Sequence, residues 1–192
     1  MPETQTVLQP PPPPPRNTGL ADGGDGNGDG EPVARPHQWA ALAAFAAPVV
    51  ATAVLGSRFS PAEPATRRWF GRLDKPPFQP PDAAFAPVWT ALYTSIAVSG
   101  WRVWRRPSRP ERSRALALWA VQLAANAAWT PVFFGAKRPA VALGVLGAQL
   151  SSATAYAATA ARVDRSAAAL VAPYLGWSTF AGVLNAEIVR RN

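Results

Sequence analysis

Residues 139–161 read Pro139-Ala-Val-Ala-Leu-Gly-Val-Leu-Gly-Ala-Gln149-Leu-Ser-Ser-Ala-Thr-Ala-Tyr156-Ala-Ala-Thr-Ala-Ala161, twenty-three residues without one Asp, Glu, Lys or Arg. At ~1.5 Å rise per residue a helix of that length crosses the ~30 Å hydrocarbon core of a bilayer. A helix on the surface of a water-soluble bundle carries charges on its outer face, and this stretch has none to place there. Four more charge-free stretches flank it: 38–57, 83–101 and 115–136 before it, and 166–186 after it. Their length and lack of strict alternation select helices over the ~10-residue strands of a membrane barrel. The expected fold class is all-α, an integral membrane bundle of five transmembrane helices with spans about 38–57, 83–104, 115–136, 139–161 and 167–189. Ala, Gly, Ser and Thr dominate these spans, which favours close helix approach.

Composition supports the assignment and excludes several chemistries. Charged residues are 16% of the chain, below the roughly 25% of soluble domains. There is no Cys and the one His is His37, so a thiolate site, a His-ligated haem or a His/Cys zinc site inside the bundle has no residues to build it. The net charge of +8 lies in short basic clusters between apolar stretches, Arg102, Arg105, Arg106, Arg109, Arg112 and Arg114 above all. That pattern reads as membrane-surface loops, with no nucleic-acid partner. Ten Lys and Arg fall on one side of a five-span chain and nine on the other, so the positive-inside rule assigns no orientation. Residues 1–36, with Pro10 to Pro15 in a row and a Gly/Asp-rich run behind them, are expected to be a disordered tail before a membrane domain at 37–192.

Specific chemistry sits in three places. Between the first two spans runs Trp69-Phe-Gly-Arg-Leu-Asp-Lys75-Pro-Pro-Phe-Gln-Pro80-Pro81, whose four prolines in six residues stiffen a loop that serves either as a lid or as a rigid connector. In the third span Gln122, Asn126, Trp129 and Phe133 recur at helical spacing on one face. Uncharged amides at that depth turn inward, toward partner helices or a ligand. In the fifth, Tyr174, Trp177, Ala181 and Leu184 form a stripe in which the small Ala181 leaves room beside the indole.

These strings, with Phe85-Ala-Pro-Val-Trp89-Thr-Ala-Leu-Tyr93, Gln122-Leu-Ala-Ala-Asn126-Ala-Ala-Trp129-Thr-Pro-Val-Phe133-Phe134-Gly135 and Pro173-Tyr174-Leu-Gly-Trp177-Ser-Thr-Phe180-Ala181-Gly-Val-Leu184-Asn185, resemble the tryptophan-rich sensory protein / translocator protein family, also known as peripheral-type benzodiazepine receptors. The resemblance runs in order from about Trp39 to Asn192. It implies a five-helix bundle, often a homodimer, whose pocket beneath the first loop takes flat hydrophobic ligands. Tetrapyrroles such as porphyrin come first, with sterols as a further class. Carried over residue by residue, the pocket is Trp89, Gln122, Asn126, Trp129, Trp177 and Ala181, with Trp69, Lys75, Pro80 and Pro81 in the covering loop.

The expected function is a membrane receptor or transport-type protein with a regulatory or trafficking role. Light- and oxygen-dependent porphyrin degradation is the enzymatic alternative, and sterol or lipid translocation another. No catalytic residue and no required cofactor are expected, because the spans hold no nucleophile with a partner and no acid–base pair. The partners are then a small hydrophobic ligand, membrane lipid and a second copy, the last through the small face of Ala117, Ala120, Ala124 and Ala128. Ala- and Arg-rich usage points to a bacterial envelope membrane, or an organellar one if the source is eukaryotic. Three departures stand out: Leu184-Asn-Ala-Glu-Ile-Val-Arg190 lacks the Tyr of the family's sterol-recognition pattern, Val141 stands where some members have Trp, and Phe70 follows Trp69 where Tyr often does.

Overall fold

The computed structural model describes residues 36–59 and 63–192, the side chains from Trp39 onward; all but the last residue of the expected tail lies outside them. Among the described residues the regular structure is all helical, with no strand: α1 (Pro36–Arg58), α2 (Pro64–Arg72), α3 (Phe85–Trp104), α4 (Pro110–Thr130), α5 (Pro139–Ala161), α6 (Arg165–Ala169) and α7 (Ala172–Arg191). Four of the described segments are long and apolar enough to cross a membrane: Trp39–Arg58, Pro110–Gly135, Pro139–Ala161 and Arg165–Arg191. The fifth, α3, has 20 residues, enough for ~30 Å at ~1.5 Å each, but its Trp, Tyr, Thr, Ser and Arg side chains lower its hydropathy. It completes the bundle of five.

Proline sets most of the boundaries. Pro36, Pro64, Pro110 and Pro139 open helices, where the missing N–H is one of those left unpaired anyway. Pro131 and Pro173 act differently, because each denies a hydrogen bond to the carbonyl four residues before it. After Thr130 the chain widens into a single π turn, Pro131–Gly135, closed by the Ala136 amide on the Pro131 carbonyl at 2.8 Å. Lys137, with φ 56°, then turns the chain into the left-handed region and ends the segment. At Pro173 the last span breaks into α6 and α7, with Leu170 and Val171 between them.

The helices α3, α4, α5 and α7 close a ring, and α1 lies outside it against α3 and α4. Accordingly only 11% of the apolar stretch of α1 is buried, and Val50, Val54 and Leu55 face outward as lipid-contacting side chains would. The α4–α5 pair, rich in Ala, makes the most extensive contact, while α3 and α7 approach each other least. The main core holds Leu92, Ile96, Val103, Trp119, Leu123, Tyr156 and Tyr174. A smaller one gathers Phe133, Ala142 and Ile188 beneath Trp69, Phe70 and Trp129.

Polar side chains cross-link the ring. The Trp119 indole donates to the Ile96 carbonyl at 3.0 Å, tying α4 to α3. Ser99 donates to the Ala167 carbonyl at 2.8 Å, which commits its one proton, so the Tyr156 hydroxyl donates to Ser99 at 2.7 Å. At the same end Asp164 caps α6 through the Ala167 amide and receives Arg102 of α3 and Arg106 just beyond it, the latter at 2.7 Å. Burial opposes ionisation of Asp164, but hydrogen bonds from Arg106, the Ala167 amide and Arg102 outweigh it and hold the carboxyl down to about 2.

A Cβ on Gly100 would lie 2.7 Å from the anchored Trp119 indole nitrogen and 2.9 Å from Phe45, whereas one on Gly144 meets nothing within 4 Å. Gly100→Ala is expected to destabilise by about 1–2 kcal/mol, since overpacking exceeds the gain in helix propensity of ~1 kcal/mol. Gly144→Ala keeps only that gain, so melts in detergent should move in opposite directions. For Asp164, the folded carboxyl titrates below its unfolded value near 4, so the unfolded chain binds more protons between the two. The stabilisation is therefore complete above about pH 4 and is lost as pH falls toward 2. Asp164→Ala should cost on the order of 2–3 kcal/mol at neutral pH through the lost cap and ion pairs, and flatten that acid limb.

Candidate functional site

The seam between α3 and α7 is filled by rings instead of backbone contact. From α3, Phe85, Trp89 and Tyr93 project into it; from α7 come Tyr174, Trp177 and Phe180. Trp89 lies 5.2 Å from the Tyr93 ring and 6.4 Å from Tyr174, centroid to centroid. Trp177 meets Phe85 edge-on at 5.7 Å and Phe180 at 5.6 Å. Rings of this size hold two helices apart, which accounts for the loose α3–α7 approach. Both tryptophans are only half-buried, and Ala181 stands one turn beyond Trp177, also half-buried.

Asn126 ties the inner end of this seam together. Its carbonyl accepts from the Tyr93 hydroxyl at 3.0 Å and its amide donates to the Tyr174 hydroxyl at 2.9 Å. The same Tyr174 oxygen accepts from Gln149 of α5 at 2.7 Å, and Gln149 also donates to Ser178 at 3.1 Å. One network thereby joins α3, α4, α5 and α7. Gln122, one turn before Asn126, is fully buried, yet neither its amide nitrogen nor its oxygen has a partner among the described residues. The indole nitrogens of Trp129 and Trp177 are likewise buried and unpaired.

Trp129 belongs to a different wall. It stacks on Phe133 at 4.9 Å and meets Phe134 edge-on at 6.0 Å, in the smaller core beneath the loop joining α1 to α3. Trp69 of α2 packs on Phe133 at 5.9 Å, and Lys75 places its ammonium 4.4 Å from the centre of the Phe70 ring. Further along the loop Phe78 meets Phe180 at 6.3 Å, and the Asp74 backbone exchanges two hydrogen bonds with the Asn192 side chain, at 3.0 and 3.1 Å. The loop thus reaches from the end of α4 to α7. Pro80 is half-buried and Pro81 exposed, between Phe78 and Phe85.

A family model described as the TspO/MBR family matches residues 44–191. The chain belongs to the TspO/MBR family. It is 39% identical over 155 residues to a tryptophan-rich sensory protein of Cereibacter sphaeroides, covering 80% of this chain and 92% of that one. A translocator protein of Homo sapiens is 38% identical over 142 residues, 72% of this chain and 82% of its own. The protein CrtK of Rhodobacter capsulatus is 36% identical over 152 residues, 79% and 94%. Membership makes this an integral membrane protein, in agreement with the apolar helices.

In this TspO/MBR-family protein the residues singled out from sequence divide between two walls: Trp89, Trp177 and Ala181 in the α3–α7 seam, and Trp129 and Trp69 in the aromatic cap over α4. Asn126 and Gln122 lie on the inner face of α4. Sequence reasoning passed over Gln149 and Ser178, which complete the network, although Gln149 sits mid-span and the rule applied to Gln122 and Asn126 also points to it. It also passed over the short helix α2, which carries Trp69 onto the π turn. Asn126→Leu should cost about 1–2 kcal/mol of stability, the usual worth of hydrogen bonds between membrane helices, read as a lower melting temperature in detergent. Gln122→Leu, which breaks no hydrogen bond, should leave the melt unchanged or raise it.

Proposed function

We propose that this protein is a membrane receptor or carrier that binds a flat hydrophobic ligand, a tetrapyrrole first, in the α3–α7 seam beneath the loop between α1 and α3. The observation that carries the reading is Gln122, an amide wholly buried inside the ring with both polar atoms unpaired. Each such atom costs about 1–3 kcal/mol when left without a partner, and a ligand with a polar edge supplies one. In the α3–α7 seam, Trp89 and Trp177 offer ring faces, each worth ~0.5–1.5 kcal/mol beyond burial against a planar ligand. The loop between α1 and α3 carries Arg67, Arg68, Arg72 and Lys75, cations that suit the carboxylates of a porphyrin. The names of the relatives, tryptophan-rich sensory protein and translocator protein, fit sensing or movement of a small molecule.

Purified protein in neutral detergent, titrated with protoporphyrin and followed by Trp fluorescence, should show saturable quenching. The Trp89→Phe/Trp177→Phe variant should bind at least tenfold more weakly, and Gln122→Leu several-fold more weakly without loss of thermal stability. Equal affinity in parent and double variant refutes the reading. A sterol that competes on equal terms with porphyrin would reassign the ligand class.

A further inference from the structure

At the end of the bundle away from that loop two adjoining concavities open. The larger, about 440 Å³, is walled by Arg106, Arg109, Arg112 and Arg162, with Glu111 as its one carboxylate. The smaller, about 170 Å³, lies among Arg102, Arg105, Arg106 and Asp164. They share Arg106, whose guanidinium Asp164 already holds together with Arg102. That carboxylate is therefore spent, and it also caps α6.

Arg109, Arg112 and Arg162 make no ion pair among the described residues, and the Nε of Arg112 is buried without a partner. Three guanidinium groups gathered round one hollow repel each other unless an anion lies between them. The α4 N-terminus opens at the same place: Pro110 begins a 21-residue helix with no side-chain cap, so its first amides also face outward unpaired. Helix-terminal amides and forked guanidinium donors together match the oxygens of a phosphate group.

The depth of the hollow points to the source of that phosphate. Trp101 and Trp104 occupy the last turn of α3, with Trp104 38% exposed and Arg105 4.7 Å above the Trp101 ring. Exposed indoles at the end of a membrane-crossing helix sit at headgroup level, and basic hollows between such helices suit lipid headgroups. We propose that Arg109, Arg112 and Arg162, with the α4 N-terminus, bind the phosphate of an anionic membrane phospholipid. Glu111, at the wall, disfavours a second negative charge and so favours a phosphodiester over a free phosphate dianion.

The full chain, delipidated in neutral detergent, is titrated by calorimetry with dihexanoyl phosphatidylglycerol, dihexanoyl phosphatidylcholine and inorganic phosphate. The glycerol lipid should bind saturably and at least tenfold more tightly than either of the others. Arg109→Gln/Arg112→Gln/Arg162→Gln should lose that tenfold, while Arg58→Gln/Arg138→Gln, at the other end of the bundle, should keep it. If the triple variant does not fold, the exposed Arg109→Gln alone should weaken binding several-fold with an unchanged melt. Undiminished binding in the triple or single variant, equal binding of the choline lipid, or an equal loss in the Arg58/Arg138 variant overturns the proposal. Inorganic phosphate binding as tightly as the glycerol lipid overturns the lipid assignment.

Discussion

The Tyr174 hydroxyl accepts hydrogen bonds from Asn126 of α4 and Gln149 of α5, and through Asn126 it is joined to Tyr93 of α3. In hydrocarbon the apolar faces of these helices gain nothing by meeting each other instead of lipid, so association rests on close packing and on polar groups with no other partner. Ala-rich faces supply the packing between α4 and α5. The Tyr174 node supplies the register, because it is satisfied only when four helices stand at matching heights.

The same node explains why the ring is uneven. Small side chains let α4 and α5 come together, while the rings of Trp89, Tyr93, Tyr174 and Trp177 keep α3 and α7 apart. The bundle is thus clamped at its inner end and spaced by aromatic rings along one seam. Gln122 sits one turn along α4 from the clamp, where a buried amide without a partner among the described residues raises the free energy of the bundle.

The two ends of the bundle are held by different means. At one, Trp69 and Phe70 lie on Phe133 and Phe134 of the π turn, and Asn192 holds the Asp74 backbone. Pro131 makes this possible, since the widened turn swings two phenyl rings toward α2. At the other end Asp164 draws Arg102 and Arg106 together, and Arg109, Arg112 and Arg162 beyond them make no ion pair among the described residues. One end is thus held by ring packing and the other by paired charge.

Much of this was legible in the chain. Five charge-free stretches of about 20 residues announce five membrane helices, since backbone polar groups in lipid must be satisfied within a helix and charge is excluded from its surface. Spacing also placed Gln122 and Asn126 inward, and both are buried. The three long strings marked the family that the comparison then established. Tertiary structure alone decided that Trp129 stands with the aromatic cap while Trp89 and Trp177 line the α3–α7 seam. It also decided that Asn126 is paired while Gln122 is not, and that α2 forms within the first loop. Periodicity reports which face of a helix avoids its surroundings, whereas the partner that a face meets depends on helix order, on the turn made at Pro131, and on where neighbouring side chains are small enough to let two backbones close.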